Sequence, residues 1–368
     1  MKQQTSAATE TGNKGRNIID FSGKTIYVGI DVHQKDWQVA IRCGEVTLAN
    51  FRMLAGAQCL IDHLQSHYQG AIIKCVYESC AWGFELQRRL TKAGIDCIVV
   101  HAADIGSTDK EKKRKTDKVD ALKLANNLGS GSLKGIHVPD EGLQKQRSLI
   151  RLRHSLKRDL TRSKNRLKSL FKFQGIELPK QFEKNNWSHN FLSWIEEQSH
   201  QDALLEDTIC LMLDQIKHLR ELLLRAERKL RLVMQDDRYR DQIKLVSSAP
   251  GIGTVNAAMF ALEVGDIRRF KNFDSLNDFV GFCPDSDSTG ETQRHTGITS
   301  RRHNELRRCL IQAAWQCIKK DPAMLEAYQQ LRKRMSDHKA VVRIARKLLR
   351  RIRRVLLTGI PYQIGVVN

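Results

Sequence analysis

The stretch "TIYVGIDVHQKDWQVAIRC", residues 25–43, alternates apolar and polar positions on both sides of a polar turn. A period of two marks strand, so it reads as a β-hairpin. Further along, "AIIKCVYES" (71–79) repeats the strand pattern and "AWGFELQRRLTKAG" (81–94) reads as an amphipathic helix closed by Gly94. "IDCIVVHAAD" (95–104) is strand again, and "DKVDALKLANNLG" (117–129) is a further helix. Strands alternating with helices indicate an α/β domain over 21–140. Residues 1–20 are polar and lack periodicity, which predicts a flexible tail.

The pattern then changes. Leu149, Leu152, Leu156, Leu160, Ser163, Leu167 and Leu170 follow steps of three and four, which predicts a long helix. Its other face is basic, with Arg147, Arg151, Arg153 and Arg158 among its cations. A second segment keeps heptad spacing through Ile209, Ile216, Leu223 and Leu230. Sustained heptads predict a coiled-coil region over 141–235, either a hairpin within the chain or a dimer contact. Residues 236–368 read as a distinct helical domain. It contains "APGIGTVNAAMFALEVGD" (249–266) and the basic helix "HKAVVRIARKLLRRIRRVLL" (338–357).

Charge narrows the partners. The 368 residues carry 62 Lys and Arg against 41 Asp and Glu, a net +21. Residues 1–140 hold 19 basic and 15 acidic residues, whereas 141–368 hold 43 and 26, so the excess lies in the helical part. A chain this basic meets polyanions; nucleic acid is the leading partner and an anionic membrane surface the second. No apolar run approaches the length of a membrane span and no signal peptide is visible, which predicts a cytoplasmic protein without a membrane partner. Nine scattered cysteines form no CxxC pair and no zinc-ligand spacing, and read as reduced thiols.

Four carboxylates stand out. Asp31 ends "YVGID" and Glu78 closes "IKCVYE", so each sets a charge beside a core at the end of a buried strand. Asp117 and Asp120 lie three apart on one helical face, after five basic residues among Lys110–Lys115. Alone, that pair reads as a solvated helix start favoured by the helix dipole. With Asp31 and Glu78 it gives two strand ends and one helix, the layout in which a ribonuclease-H-like fold holds two Mg²⁺ ions. Hard divalent cations take oxygen ligands, and a metal pair can clamp an attacked phosphate. Four such charges together are poorly tolerated without metal. Asp36, Glu85 and Asp104 read as surface acids.

Two further elements bear on phosphate. "PGIG" resembles a helix-hairpin-helix turn, in which the backbone of Gly251, Gly253 and Thr254 would bind nucleic-acid phosphates; the alternative is an ordinary Pro/Gly turn. "FVGFCPDSDSTGETQRHTGITSRRHNELRR" (279–308) sets Ser286, Ser288, Thr289 and Thr292 in a Gly-punctuated loop, followed by Arg294, His295, Arg301 and Arg302. Such a stretch is commonly only a loop. Its other reading is a nucleophilic hydroxyl with arginines holding a phosphate, giving covalent catalysis.

Taken in order, "YVGIDVHQKDWQVA", "VYESCAWG", "KTDKVDALKLA", "APGIGTVNAAMFALEVGDI" and the 279–308 segment resemble the DEDD transposases of bacterial insertion sequences, the bridge-RNA-guided serine recombinases, whose relatives include the pilin-gene invertases. The resemblance spans residues 24–360. It implies an α/β plus α architecture: a ribonuclease-H/RuvC-like domain, a helical coiled-coil hairpin, and a helical transposase domain with a helix-hairpin-helix-like element. Asp31, Glu78, Asp117 and Asp120 match the four family acids, implying Mg²⁺ as cofactor. The family's nucleophilic serine immediately precedes the loop glycine. Here Thr289 precedes Gly290 and Ser288 lies one earlier, so both hydroxyls stand as candidates. The resemblance implies a transposase that excises and inserts its own element, with DNA ends and target, a noncoding bridge RNA, and a homodimer or homotetramer as partners. Arg151, Arg158, Arg294, Arg301 and Arg302 are the expected nucleic-acid contacts beside the "PGIG" turn. The rival readings are a site-specific invertase without an RNA guide, a RuvC-like metal-dependent nuclease, and a non-catalytic nucleic-acid-binding protein.

Overall fold

Five segments form one sheet in the N-terminal part: β1 (Thr25–Val32), β2 (Asp36–Cys43), β3 (Val46–Leu54), β4 (Ile72–Glu78) and β5 (Asp96–Val100). The computed structural model describes residues 20–79, 81–106, 116–182, 187–199, 203–289, 292–299 and 302–366, with backbone alone at 199, 203, 284–289 and 292–297. The expected flexible tail therefore lies outside the described residues, save Asp20. The chain divides into two compact units between Val138 and Pro139.

In the first unit the strand order is β3-β2-β1-β4-β5. β1, β2 and β3 form an antiparallel meander, while β4 and β5 run parallel to β1. Antiparallel neighbours need only tight turns, but parallel ones need crossovers. Helix α1 (Ala57–His67) supplies the first crossover and α2 (Glu85–Lys92) the second. Val28, Ile30, Val39 and Ile41 pack with Leu60 and Leu64 of α1 and Leu86 and Leu90 of α2, which closes one face.

Helix α3 (Asp117–Gly129) covers the other face, and it can do so only because β1 carries glycine there. A Cβ at Gly29 would lie 2.1 Å from the Ala121 carbonyl oxygen and 2.5 Å from the Ala125 nitrogen. Ala40, Ala121 and Ala125 complete a small-residue seam that lets the helix backbone rest on the strand. Thr116 caps α3, its hydroxyl accepting from the Val119 N–H.

In the second unit α4 (Glu141–Phe173) and α6 (Ala203–Gln235) run antiparallel, as the Arg153–Glu227 and Ser163–Gln215 bonds show. The heptad residues Ile209 and Ile216 are buried against Leu160, Leu167 and Phe171 of the same chain. The segment between these helices contains α5 (His189–Ser199), whose Phe191 and Ile195 join that core. Leu143, Ile150 and Leu230 pack instead with α7 (Asp237–Ser247), α8 (Thr254–Val264), α9 (Phe273–Val280), α10 (Asn304–Lys320), α11 (Pro322–Arg332) and α12 (Asp337–Thr358). The stretches 141–235 and 236–368 thus share a core.

The hydroxyl-rich segment, expected as a loop, is a hairpin of β6 (Pro284–Thr289) and β7 (Thr292–Ile298), with Thr289 opposite Thr292. A buried clasp ties the C-terminal segment down. Asp321 accepts from Arg351 Nη1 at 2.7 Å, the Tyr362 hydroxyl at 2.6 Å and the Gly365 N–H at 3.0 Å. Among the described residues no helix is long and apolar enough to cross a membrane.

Candidate metal centre and nucleic-acid interface

Strand alternation puts Asp31 on the face of Tyr27 and Gly29, the face that α3 covers. His33, two residues on, has its Nε2 3.1 Å from Asp31 Oδ2 and 3.8 Å from Asp117 Oδ1. The ligand atoms of Asp31, His33 and Asp117 all lie within 4.8 Å of one another. Among the described residues no other trio of His, Cys, Asp or Glu converges in this way. Burial pushes the Asp31 carboxyl above its ordinary range. His33 pulls it down, while Asp117 and Asp120 push it further up. A bound cation would relieve that repulsion, and two carboxylates suit a hard divalent ion. The imidazole can ligate directly or orient Asp31 from behind. The side chains present therefore fit a divalent metal.

Glu78 and Asp120 lie outside this trio. Ile30 pairs with Tyr77, so Asp31 and Glu78 each follow that pair by one residue on adjacent parallel strands. Glu78 shares the face of Val76, which packs on Leu124 of α3, and its side chain is exposed. Asp120 is partly buried, and its charge bears on Asp31. His33 is not legible as a site residue from the sequence, although the Asp-Val-His spacing holds the signal: i and i+2 share one side of an extended chain. Asp36 and Glu85 are in ion pairs with Arg52 and Arg89.

In the second unit α8 opens at Thr254, and Gly253 precedes it without a side-chain cap. Gly251 has φ +84°, and a Cβ there would come within 2.7 Å of the Ala313 carbonyl oxygen and Gln316 Cβ. Its glycine is thus demanded by packing on α10, as an ordinary Pro/Gly turn between packed helices would require. At the other end of α8, Glu263 is 2% exposed. Arg151 grips it with two bonds of 2.7 Å, and His303 Nε2 stands 3.2 Å away. Arg147 donates to the Leu262 and Glu263 carbonyls. Two cations expected on the outer face of α4 are therefore turned to internal partners, because a buried carboxylate requires them. Arg158 remains exposed. Arg302 donates to Asn304 Oδ1. Ser286, Ser288, Thr289, Arg294 and His295 have described backbone, but their side chains, like all of Arg301, lie outside the described residues.

Glu263 carries a pH prediction. Burial works to raise its carboxyl, but the bonds from Arg151 and His303 outweigh it and hold it at about 2. This folded value lies below the ordinary 4.5, so its stabilisation is complete above that pH and is lost as pH falls towards about 2. His154 is pushed down to about 4 from 6.5 by burial, against the pull of Glu305. The unfolded chain therefore takes up that proton first, and stability also falls with pH between those values. Acid unfolding followed by circular dichroism should show both windows. His154→Gln should remove the upper one and Glu263→Gln the lower.

Steps of three and four bring Arg343, Arg346, Lys347, Arg350 and Arg354 of α12, with Arg351, to one groove of about 350 Å³. Arg351 is spent on Asp321, and Arg346 faces Asp274 at 3.4 Å. The other four have no carboxylate partner among the described residues. Arg350 lies over the Phe273 ring, 4.6 Å from its centre.

Two family models match the chain. One, described as a transposase and named for the DEDD enzymes of the IS110 group, covers residues 28–174. The other, described as the transposase IS116/IS110/IS902 family, covers 243–329. The chain is 28% identical over 317 residues to the y4qE protein of Sinorhizobium fredii, covering 82% of this chain and 73% of that one. It is 26% identical over 314 residues to the transposase for insertion sequence element IS1533 of Leptospira borgpetersenii, covering 80% and 85%. Against the transposase for insertion sequence element IS1328 of Yersinia enterocolitica it is 25% identical over 240 residues, covering 64% and 68%.

Proposed function

The chain belongs to the DEDD transposase family of bacterial insertion sequences, and from that premise we propose that it excises and inserts such an element through a covalent protein–DNA intermediate. The observation that carries the reading is the convergence of Asp31, His33 and Asp117 at the end of β1, beneath α3, with Glu78 and Asp120 flanking it. The sheet order and the helix over β1 support a ribonuclease-H/RuvC-like first unit. The second unit is read as the transposase part.

Asp31, Glu78, Asp117 and Asp120 would hold Mg²⁺, with His33 fixing the Asp31 carboxylate. When bound, the ion would polarise the scissile phosphate and offset its charge. The hydroxyl of Ser288 or Thr289 attacks that phosphorus. One P–O bond to the side chain forms, the P–O bond to the departing strand breaks, the nucleophile's proton passes to solvent or a nearby base, and the departing oxygen takes up a proton to leave as a hydroxyl. The reverse attack by a new strand end rejoins DNA, so the phosphodiester energy is kept and no high-energy cofactor is required. Gly253, Thr254, Arg158, Arg294, Arg301 and Arg302 are the proposed backbone contacts, together with the α12 groove. A noncoding bridge RNA would pair with donor and target DNA in the bacterial cytoplasm. A dimer or tetramer would supply the two kinds of active part to each site.

The groove carries its own prediction. Changing Arg343, Lys347, Arg350 or Arg354 singly to Ala should lower the slope of log affinity against log salt by roughly one for each phosphate no longer neutralised. Thermal unfolding should change little at the exposed Arg343 and Arg354, within about 0.5 kcal/mol.

The deciding experiment is to incubate the protein with its element's end DNA, the flanking transcript and Mg²⁺, then digest and sequence any DNA-linked peptide by mass spectrometry. A link at Ser288 or Thr289 is expected. Cleavage without a link would replace covalent recombination by a water-using nuclease. Binding without cleavage would leave a binding protein. Activity undiminished by omitting the transcript would favour an invertase-like enzyme without a guide.

A further inference from the structure

At the end of β1 the first unit holds a cavity of about 200 Å³. Trp37, Tyr77, Trp82 and Leu86 give it apolar walls, and His33 and Gln34 add polar edges. His33 is the residue common to the cavity and the metal centre, so the two meet at the end of β1, with the cavity on the side of α1 and α2 and the carboxylates on the side of α3. The wall is built rather than incidental. The Tyr77 side chain is buried, and its hydroxyl donates to the Gly83 carbonyl at 3.0 Å. That bond fixes the turn carrying Trp82, which Gly83 completes with φ +68°. Trp82 nevertheless stands 47% exposed, a large ring left half in water.

We propose that this cavity takes one unstacked nucleobase of the DNA strand whose phosphate is handled at Asp31 and Asp117, with Trp82 as its stacking face. The inference rests on the transposase reading of that site. A flat ring with a polar edge matches apolar walls edged by an amide and an imidazole. Among lysine and arginine a phosphate would find only Arg89 in the lining, and Arg89 is already paired with Glu85 at 2.9 Å. An acyl chain would leave Gln34 and His33 facing hydrocarbon. A base drawn out of the stack beside the scissile phosphate would fix the register of cleavage, because stacking tolerates any base but admits only one at a time.

The test uses the full chain and its element's end DNA, with Ca²⁺ in place of Mg²⁺ to hold cleavage off. Each base near the cut is replaced in turn by an abasic residue, and Kd is measured. One position should weaken wild-type binding by roughly 5- to 150-fold. Trp82→Ala should weaken binding to intact DNA by a similar factor, the two losses should not add, and Trp82→Phe should restore most of the affinity. Additive losses, or intact DNA bound equally by wild type and Trp82→Ala, would overturn the proposal. Cleavage of intact DNA by the wild type with Mg²⁺ is scored separately. Cleavage with additive losses sinks the base pocket alone; non-additive losses without cleavage sink the catalytic reading alone. A wild type that binds no end DNA sinks both.

Discussion

Asp117→Asn is expected to lower metal-dependent cleavage and strand transfer by at least roughly a hundredfold while nucleic-acid binding persists. Substituting groups that merely support a metal ligand already costs about 10- to 100-fold, so a ligand should cost no less. The amide keeps the shape of the carboxylate but loses its charge, and Asp117 is the one acid of α3 inside the converging trio. Its side chain is 51% exposed, so little packing is lost. The helix gives up one acid near its N-terminus, worth about 0.3–1 kcal/mol. The assay is cleavage of labelled end DNA over a Mg²⁺ titration, with Kd measured in parallel. Undiminished cleavage would remove Asp117 from the centre.

Gly29→Val is the second large effect, and it acts through the scaffold. The new side chain would meet the Ala121 carbonyl oxygen and the Ala125 nitrogen, and neither backbone atom can rotate aside. The helix must lift. Overpacking typically costs about 1–3 kcal/mol, and more where nothing yields. For a unit of this size, Met1–Val138, each kcal/mol lowers Tm by roughly 3–6 °C. Activity should fall further than stability, because Asp117 and Asp120 ride on α3. A displacement of about 1 Å can cost on the order of a hundredfold in rate. Gly29→Ala should show the same signs in milder form. If it melts and cuts like the wild type, the close seating of α3 on β1 is wrong.

The elements legible in the sequence are those whose own periodicity is strong. β1, β2, β4 and α3 fall where alternation and helical spacing place them. β3 is not legible, because as an edge strand it has all nine of its residues partly or fully exposed and so lacks a clean apolar alternation. α1 offers only Ala57, Leu60, Ile61 and Leu64 to the core, too short a stripe to stand out. α5 is hidden in a polar connection, and its aromatic residues gain meaning only against the long helices. The 284–298 hairpin is masked by its Ser, Thr, Asp and Gly residues, which read as a loop. At the site, Asp31 and Asp117 announce themselves as acids at a strand end and a helix start. His33 does not, since a single histidine after a strand is ordinary until a carboxylate from residue 117 arrives beside it. Glu263 sits in an apolar run, and the partners that explain it come from α4 and from just before α10.

The clasp around Asp321 links synthesis to competence. Its buried carboxylate and Arg351 are matched by groups made some forty residues after Asp321, the Tyr362 hydroxyl, the Gly365 amide and the Val366 carbonyl. A message interrupted before codon 362 therefore yields an unclosed second unit and not a shortened enzyme. Copies of the gene with a late stop codon would be silent, and movement of the element would be restricted to reading frames intact through that codon.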